Sequence, residues 1–205
     1  MDAQLPQDPH TSPLTVLEFF ALPGAGKSTV VSAFGKKVIV TTRQDLTEQW
    51  ANSSKLQRIA HVGRAFGNLR LLNAAVRFCL GARLYTRDSM FRLIRLVAKT
   101  EWLQSRSGLV LLDQGFLQDV WSILLSSKAA RAEPELLHSL IRLLYDGIDV
   151  TIVVLEVDSK TASARVSGRT NGGSRFDNLP EGQLRSSIAA SSGLQRQIVE
   201  AARLA

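Results

Sequence analysis

Cysteine is almost absent from this chain: Cys79 stands alone among 205 residues. One thiol cannot close an internal disulfide, which excludes a stapled secreted scaffold and favours a reducing compartment. Cys79 lies among Val76, Phe78 and Leu80 and reads as a buried thiol, not a nucleophile. Long apolar runs are also missing, and no stretch approaches the roughly 18 uninterrupted apolar residues of a membrane span. The opening MDAQLPQDPHTSP has neither a basic start nor an apolar core. Residues 1–13 therefore read as a loose tail, not a signal peptide, and the expected location is cytoplasmic. His10, His61 and His138 are scattered, with no carboxylate or cysteine at ligand spacing, so no metal cluster of that kind is expected. Aromatic residues make up only 6%, and Trp50, Trp102 and Trp121 fall at apolar helical positions that suit a core.

Apolar residues are plentiful. At 45% of 205 residues they suffice for one domain with a core of ordinary size, expected over 14–205. Four β-rich runs punctuate the chain: the run entering FFALPG, KKVIVTTR (36–43), GLVLLDQG (108–115) and VTIVVLEVD (150–158). Helical patterns separate them. A capping box at Asp45–Glu48 opens a helix through about His61, and helical periodicity from Arg64 to Lys99 breaks near Gly81 and restarts around Thr86–Asp88. Further helices are expected from Phe116 to Lys128, from Pro134 toward Gly147, from Asp158 or Ser159 to Val166, and from Glu181 to Leu204. Strands alternating with helices predict an α/β fold with a parallel sheet, about four to five strands, and helices on both faces. Ligands of such sheets bind beyond the carboxyl ends of the strands, here Ala21–Ser28, Thr41–Arg43, Asp113–Gly115 and Asp158.

At the first of those ends the chain reads ALPGAGKST. A strand, a glycine-bearing turn and a helix-compatible segment form the context in which a phosphate-loop pattern has physical meaning. Pro23, Gly24, Ala25, Gly26, Lys27, Ser28 and Thr29 are the expected nucleotide-binding residues. The glycines let successive N–H groups face an anion, and the helix N-terminus adds positive potential. Lys27 would reach the β- and γ-phosphates, and Ser28 would ligate Mg²⁺. The pattern's first glycine is replaced by Ala21, which fits if that residue keeps a negative φ.

Asp113 ends the third strand, where a second acidic ligand for Mg²⁺ is needed. Gln114 follows it, in place of the Glu that activates water in motor and transporter ATPases, and an N-K-x-D guanine-reading motif is missing. Both absences weigh against a hydrolytic ATPase and a GTPase switch. Arg165, Arg169 and Arg175 flank or occupy a loop rich in Gly, Ser and Asn (167–180). Guanidinium forks match a phosphoryl group in transfer, and such a loop can close over the phosphates, with Asn171-Gly172-Gly173 as hinge. Gln114 and Gln118 could hydrogen-bond a base or sugar, or be polar surface. Charge is concentrated in 46–107, where Lys55, Lys99 and nine arginines face only Glu48, Asp88 and Glu101.

FFALPGAGKST, the strand end LLDQG and the fourth strand followed by RVSGRTNGGSRFD resemble the nucleoside and nucleotide kinases, especially the thymidylate-kinase-like group. The resemblance implies a P-loop NTPase-type three-layer sandwich, a lid at 167–180 and an acceptor-binding helical insert at 46–107. It also implies that Arg43, at the end of VIVTTR, serves the acceptor site. The chain departs from the family at Gln114, where Arg usually follows the acid, and shows no evident final strand.

The expected activity is transfer of the γ-phosphate of Mg-ATP to a nucleoside or nucleotide. Lys27, Asp113, Arg165, Arg169 and Arg175 would be catalytic, Ser28 and Asp113 would hold the metal, and Arg43, Gln114 and Gln118 would meet the acceptor. Two other readings stay open: a kinase for a polynucleotide end, sugar or antibiotic, which the basic segment keeps in view, and a nucleotide-sensing module with little transfer. No membrane partner is expected.

Overall fold

The apolar run before the glycines forms a strand, β1 (Leu14–Ala21), inside a parallel sheet. The structure is a computed structural model and describes residues 13–35, 41–42, 67–126, 132–168, 176 and 179–205, with positions 52, 54, 56, 60, 63 and 64. β1 pairs on one side with β3 (Gly108–Leu112) and on the other with β4 (Asp149–Leu155), while the two-residue β2 (Thr41–Thr42) joins the far side of β3. The order is β2-β3-β1-β4. Three strands of five or more residues and one short strand thus lie at the lower end of the expected count. Among the described residues no strand follows β4. The third strand ends at Leu112, and the polar turn expected at its end, Asp113–Gln114–Gly115, leads directly into a helix. The predicted second strand and the 45–61 helix fall mainly outside the described residues.

Register places Val16, Glu18 and Phe20 of β1 on one face, level with Val110 and Leu112 of β3. That face carries the main core, in which Val16, Phe20, Val110 and Leu112 pack with helical residues. Leu111 and Phe19, on the opposite face, are buried outside that cluster.

Helix α1 (Lys27–Gly35) follows β1 directly. Two helices precede β3: α2 (Leu69–Gly81), whose first turn is capped by the Asn68 side chain accepting from Leu71 N–H, and α3 (Arg87–Gln104), capped likewise by Thr86. The predicted break near Gly81 is therefore real, and Arg83 takes a positive φ of 51° within it. After β3 come α4 (Phe116–Ser126) and α5 (Pro134–Leu144), the latter with Pro in its first turn, where the missing N–H costs nothing. After β4 come α6 (Ser159–Ser167), capped by Asp158 on Thr161 N–H, and α7 (Glu181–Arg203).

The basic segment is not peripheral to the core. Leu71 and Phe78 of α2 and Leu96, Trp102 and Leu103 of α3 belong to the same cluster as β1. Several of its cations have structural partners: Arg92 pairs with Asp88 at 2.8 Å, Lys99 with Asp119 at 2.9 Å, and Arg106 lies over the Trp102 ring. Trp121 is buried as expected, as is Cys79, whose thiol is pushed up by burial; Trp50 lies outside the described residues. Among the described residues no helix is long and apolar enough to cross a membrane.

Candidate nucleotide-phosphate site

The connection after β1 must reverse direction within a few residues, and two glycines make this feasible. Gly24 and Gly26 take φ of 84° and 86°, in the region L side chains avoid. Gly24 is also constrained by space, since a Cβ there would sit 2.5 Å from the Ala162 carbonyl oxygen of α6. Ala21, by contrast, remains the last residue of β1, paired with Leu155, and is not among the residues with positive φ. Its methyl group therefore costs the loop nothing.

Ala25 N–H donates to the Leu22 carbonyl at 3.2 Å, and Thr29 and Val30 N–H groups both donate to Gly26. Helix α1 begins at Lys27 with no acidic residue in its first turn, so its positive end is not neutralised from within. The Lys27 ammonium folds back over the loop. It donates to the Ala21 carbonyl at 2.9 Å and to the Gln118 side-chain carbonyl. Ser28 and Thr29 are exposed at the head of the helix.

The strand order sets the carboxyl end of β3, which Asp113 follows, next to the carboxyl end of β1. Connections from β1 lead to the β2–β3 side of the sheet and those from β3 to the β4 side, so the carboxyl ends of β1 and β3 flank the point where they diverge. Asp113 follows the Glu18–Leu112 register pair by one residue and is half-buried. Mg²⁺ bound with a nucleotide asks for one or two protein oxygens, with phosphates and water supplying the rest. An exposed hydroxyl on Ser28 and a half-buried carboxylate on Asp113 fit that demand. Among the described residues there is no three-residue His, Cys, Asp or Glu cluster for a self-sufficient metal site.

Two partners of the loop come from far along the chain. Arg165 of α6 donates from Nη1 to the Gly24 carbonyl at 3.3 Å. Gln118 of α4 is 9% exposed and accepts from Lys27, so it lies against the glycine turn and not on a polar surface. Gln114 is exposed, and its backbone carbonyl accepts from Lys99 at 3.2 Å. Arg43, Arg169 and Arg175 lie outside the described residues.

Sequence reasoning missed Glu18. It lies mid-strand in β1 with 0% exposure. Its carboxylate accepts from Phe116 N–H at 2.9 Å, Leu117 N–H at 2.8 Å and the Tyr145 hydroxyl at 2.7 Å. Two of these donors are orphan amides at the start of α4, so Glu18 caps from the sheet the helix that carries Gln118. Gly115 leaves room for it: a Cβ there would fall 2.0 Å from the carboxyl. Burial raises the Glu18 pKa above the usual carboxylate range, while Tyr145, the Lys99 charge and the two amides pull it down less strongly. The same burial, with Glu18 alongside, pushes the Tyr145 hydroxyl well up. The available signal was a lone acid inside an otherwise apolar strand, on the same face as Val16 and Phe20.

No protein-family model matches the chain, and no curated protein sequence matches it. Among solved structures the chain is similar to a deoxyadenosine kinase from M. mycoides with products dCMP and a flexible dCDP bound. Identity is 15% and the TM-score 0.45, over 90% of this chain and 85% of that one. A likeness that distant does not bear on what this chain does.

Proposed function

We propose that this chain is a P-loop phosphotransferase that moves the γ-phosphate of Mg-ATP to a small acceptor, a nucleoside or nucleotide. The observation that carries the reading is the loop itself: two left-handed glycines between a central parallel strand and a helix, with Lys27 folded over the turn. The loop amides would bind the β- and γ-phosphates, and the Lys27 nitrogen would exchange the Ala21 and Gln118 oxygens for phosphate oxygen. Arg165, already on the Gly24 carbonyl, would hold the loop in shape and add positive charge beside it. Ser28 and Asp113 would hold Mg²⁺, which neutralises charge on the phosphates when bound. Arg169 and Arg175 as lid residues, Arg43, Gln114 and the 46–107 segment as acceptor contacts, and the thymidylate-kinase-like grouping rest on the sequence resemblance. Gln118 has a nearer use, as the residue that seats Lys27 between turnovers.

The test is direct. Incubating the full chain with Mg²⁺ and γ-labelled ATP, with a pooled panel of nucleosides, nucleotides, sugars and oligonucleotides, should move label to one acceptor class. Label reaching only a sugar or an oligonucleotide end would keep the transfer chemistry and replace the acceptor. Measurable nucleotide binding with no labelled product from any acceptor would instead favour the sensing module, a reading supported by Gln114 standing where an arginine usually follows the acid.

A further inference from the structure

Helix α2 carries two arginines that neither the phosphate site nor the core uses. Arg70, Asn73 and Arg77 are spaced i, i+3 and i+7, so they share one face of the helix. That face meets Ser139 and Arg142 of α5, themselves i and i+3. Together the five polar side chains line a hollow of about 200 Å³ floored by Ala74, Leu136 and Leu143.

The electrostatics of the hollow are one-sided. Three guanidiniums line it, and among the described residues no carboxylate does. Helix α2 has no acidic residue at all, and Glu135, the acid of α5, lines a different hollow. Elsewhere in the same basic segment Arg92 is engaged by Asp88 and Ser122, and Lys99 by Asp119. Among the described residues no hydrogen bond or ion pair engages Arg70, Arg77 or Arg142. Arginine forks match phosphoryl oxygens in pairs, and Asn73 and Ser139 add neutral donors beside them. Arg70 and Arg77 start two turns apart, roughly 10 Å along the helix axis, a span that suits two linked phosphoryl groups better than one.

We infer that the α2–α5 hollow is a second anion site, separate from the phosphate loop, that binds a small ligand through a diphosphate. Inorganic pyrophosphate and a nucleoside diphosphate share that chemistry. The site uses no residue of the β1–α1 loop, so it stands or falls independently of the proposed transfer reaction.

The experiment is calorimetric titration of pyrophosphate, and separately of ADP, into two full-length chains at low salt. One carries Lys27→Ala alone; the other adds Arg77→Gln and Arg142→Gln. Any residual binding at the phosphate loop is then common to both, and circular dichroism confirms that the exposed arginine substitutions leave the fold intact. The expected result is that the added substitutions weaken pyrophosphate binding by roughly tenfold to a hundredfold, the range lost with charge-assisted hydrogen bonds. Arg77→Lys, which keeps the charge but loses the fork, should fall between. Equal affinities of the Lys27→Ala chain for pyrophosphate and ADP, both weakened by the added substitutions, would mean the ligand needs only its diphosphate, whereas tighter ADP binding, lost with the same arginines, would identify a nucleotide as its source. Identical titrations of the two chains with both probes, or no binding by either chain, would overturn the site.

Discussion

Glu18 and Lys27 belong to one strand–loop–helix unit, carry opposite charges and are held in opposite ways. Glu18 is sealed: three donors converge on its carboxylate, no surface reaches solvent, and the glycine beside it leaves room for nothing else. Lys27 is half-buried beside exposed Ser28 and Thr29, and its nitrogen rests on a backbone carbonyl and an amide oxygen. Neutral oxygens such as these compete weakly with a phosphate for an ammonium. A buried carboxylate stripped of its donors has no such alternative, because water cannot replace them. One charge lies inside the fold beneath a helix start, and the other lies at the head of the glycine turn.

The comparison can be broken most forcefully at Glu18. Glu18→Ala leaves the Phe116 and Leu117 amides and the Tyr145 hydroxyl buried without their acceptor, and should cost about 3–5 kcal/mol in urea unfolding. A loss under about 1 kcal/mol would show that the cap is ornamental. Lys27→Ala should do the reverse, lowering phosphate transfer by roughly a hundredfold or more while the unfolding free energy stays within about 0.5 kcal/mol of the parent. If transfer survives in the folded Lys27→Ala chain, the lysine has no part in the chemistry.

Gly24→Ala tests the seam between the two behaviours, since it strains a positive φ and drives a methyl into the Ala162 carbonyl. Stability should fall by about 1–3 kcal/mol and nucleotide binding should fall with it. A milder change, Tyr145→Phe, removes one donor of three and should cost about 1–2 kcal/mol in the same unfolding assay, with nucleotide affinity preserved.

The smallest effect concerns pH. Burial raises the Glu18 pKa in the folded chain, so the folded state holds this proton more tightly than the unfolded state does. The contribution of Glu18 is therefore fully present below its unfolded pKa and declines as pH rises through the raised folded value. Unfolding measured across mildly acidic pH should show that decline in the parent chain, and Glu18→Gln, less stable throughout, should lack it. Parallel curves for the two chains would place the titration elsewhere.

Much of this molecule was legible in the chain because the relevant forces are local. Apolar runs alternating with helical periodicity set the parallel sheet, Thr86 and Asp158 start their helices through their own side chains, and the glycines at 24 and 26 mark a turn that other residues avoid. The break at Gly81 and the burial of Cys79, Trp102 and Trp121 follow from pattern in the same way. Tertiary structure alone decided the partnerships. Glu18 reaches amides 98 and 99 positions away, Lys27 meets Gln118 across 91, and Arg165 reaches Gly24 across 141. The α2–α5 hollow likewise joins arginines from helices on opposite sides of β3 in the chain. Such contacts depend on strand register and on how helix faces pack. A residue's own neighbours carry no trace of either, so Glu18 reads as a lone acid in an apolar strand until the fold sets a helix start against it.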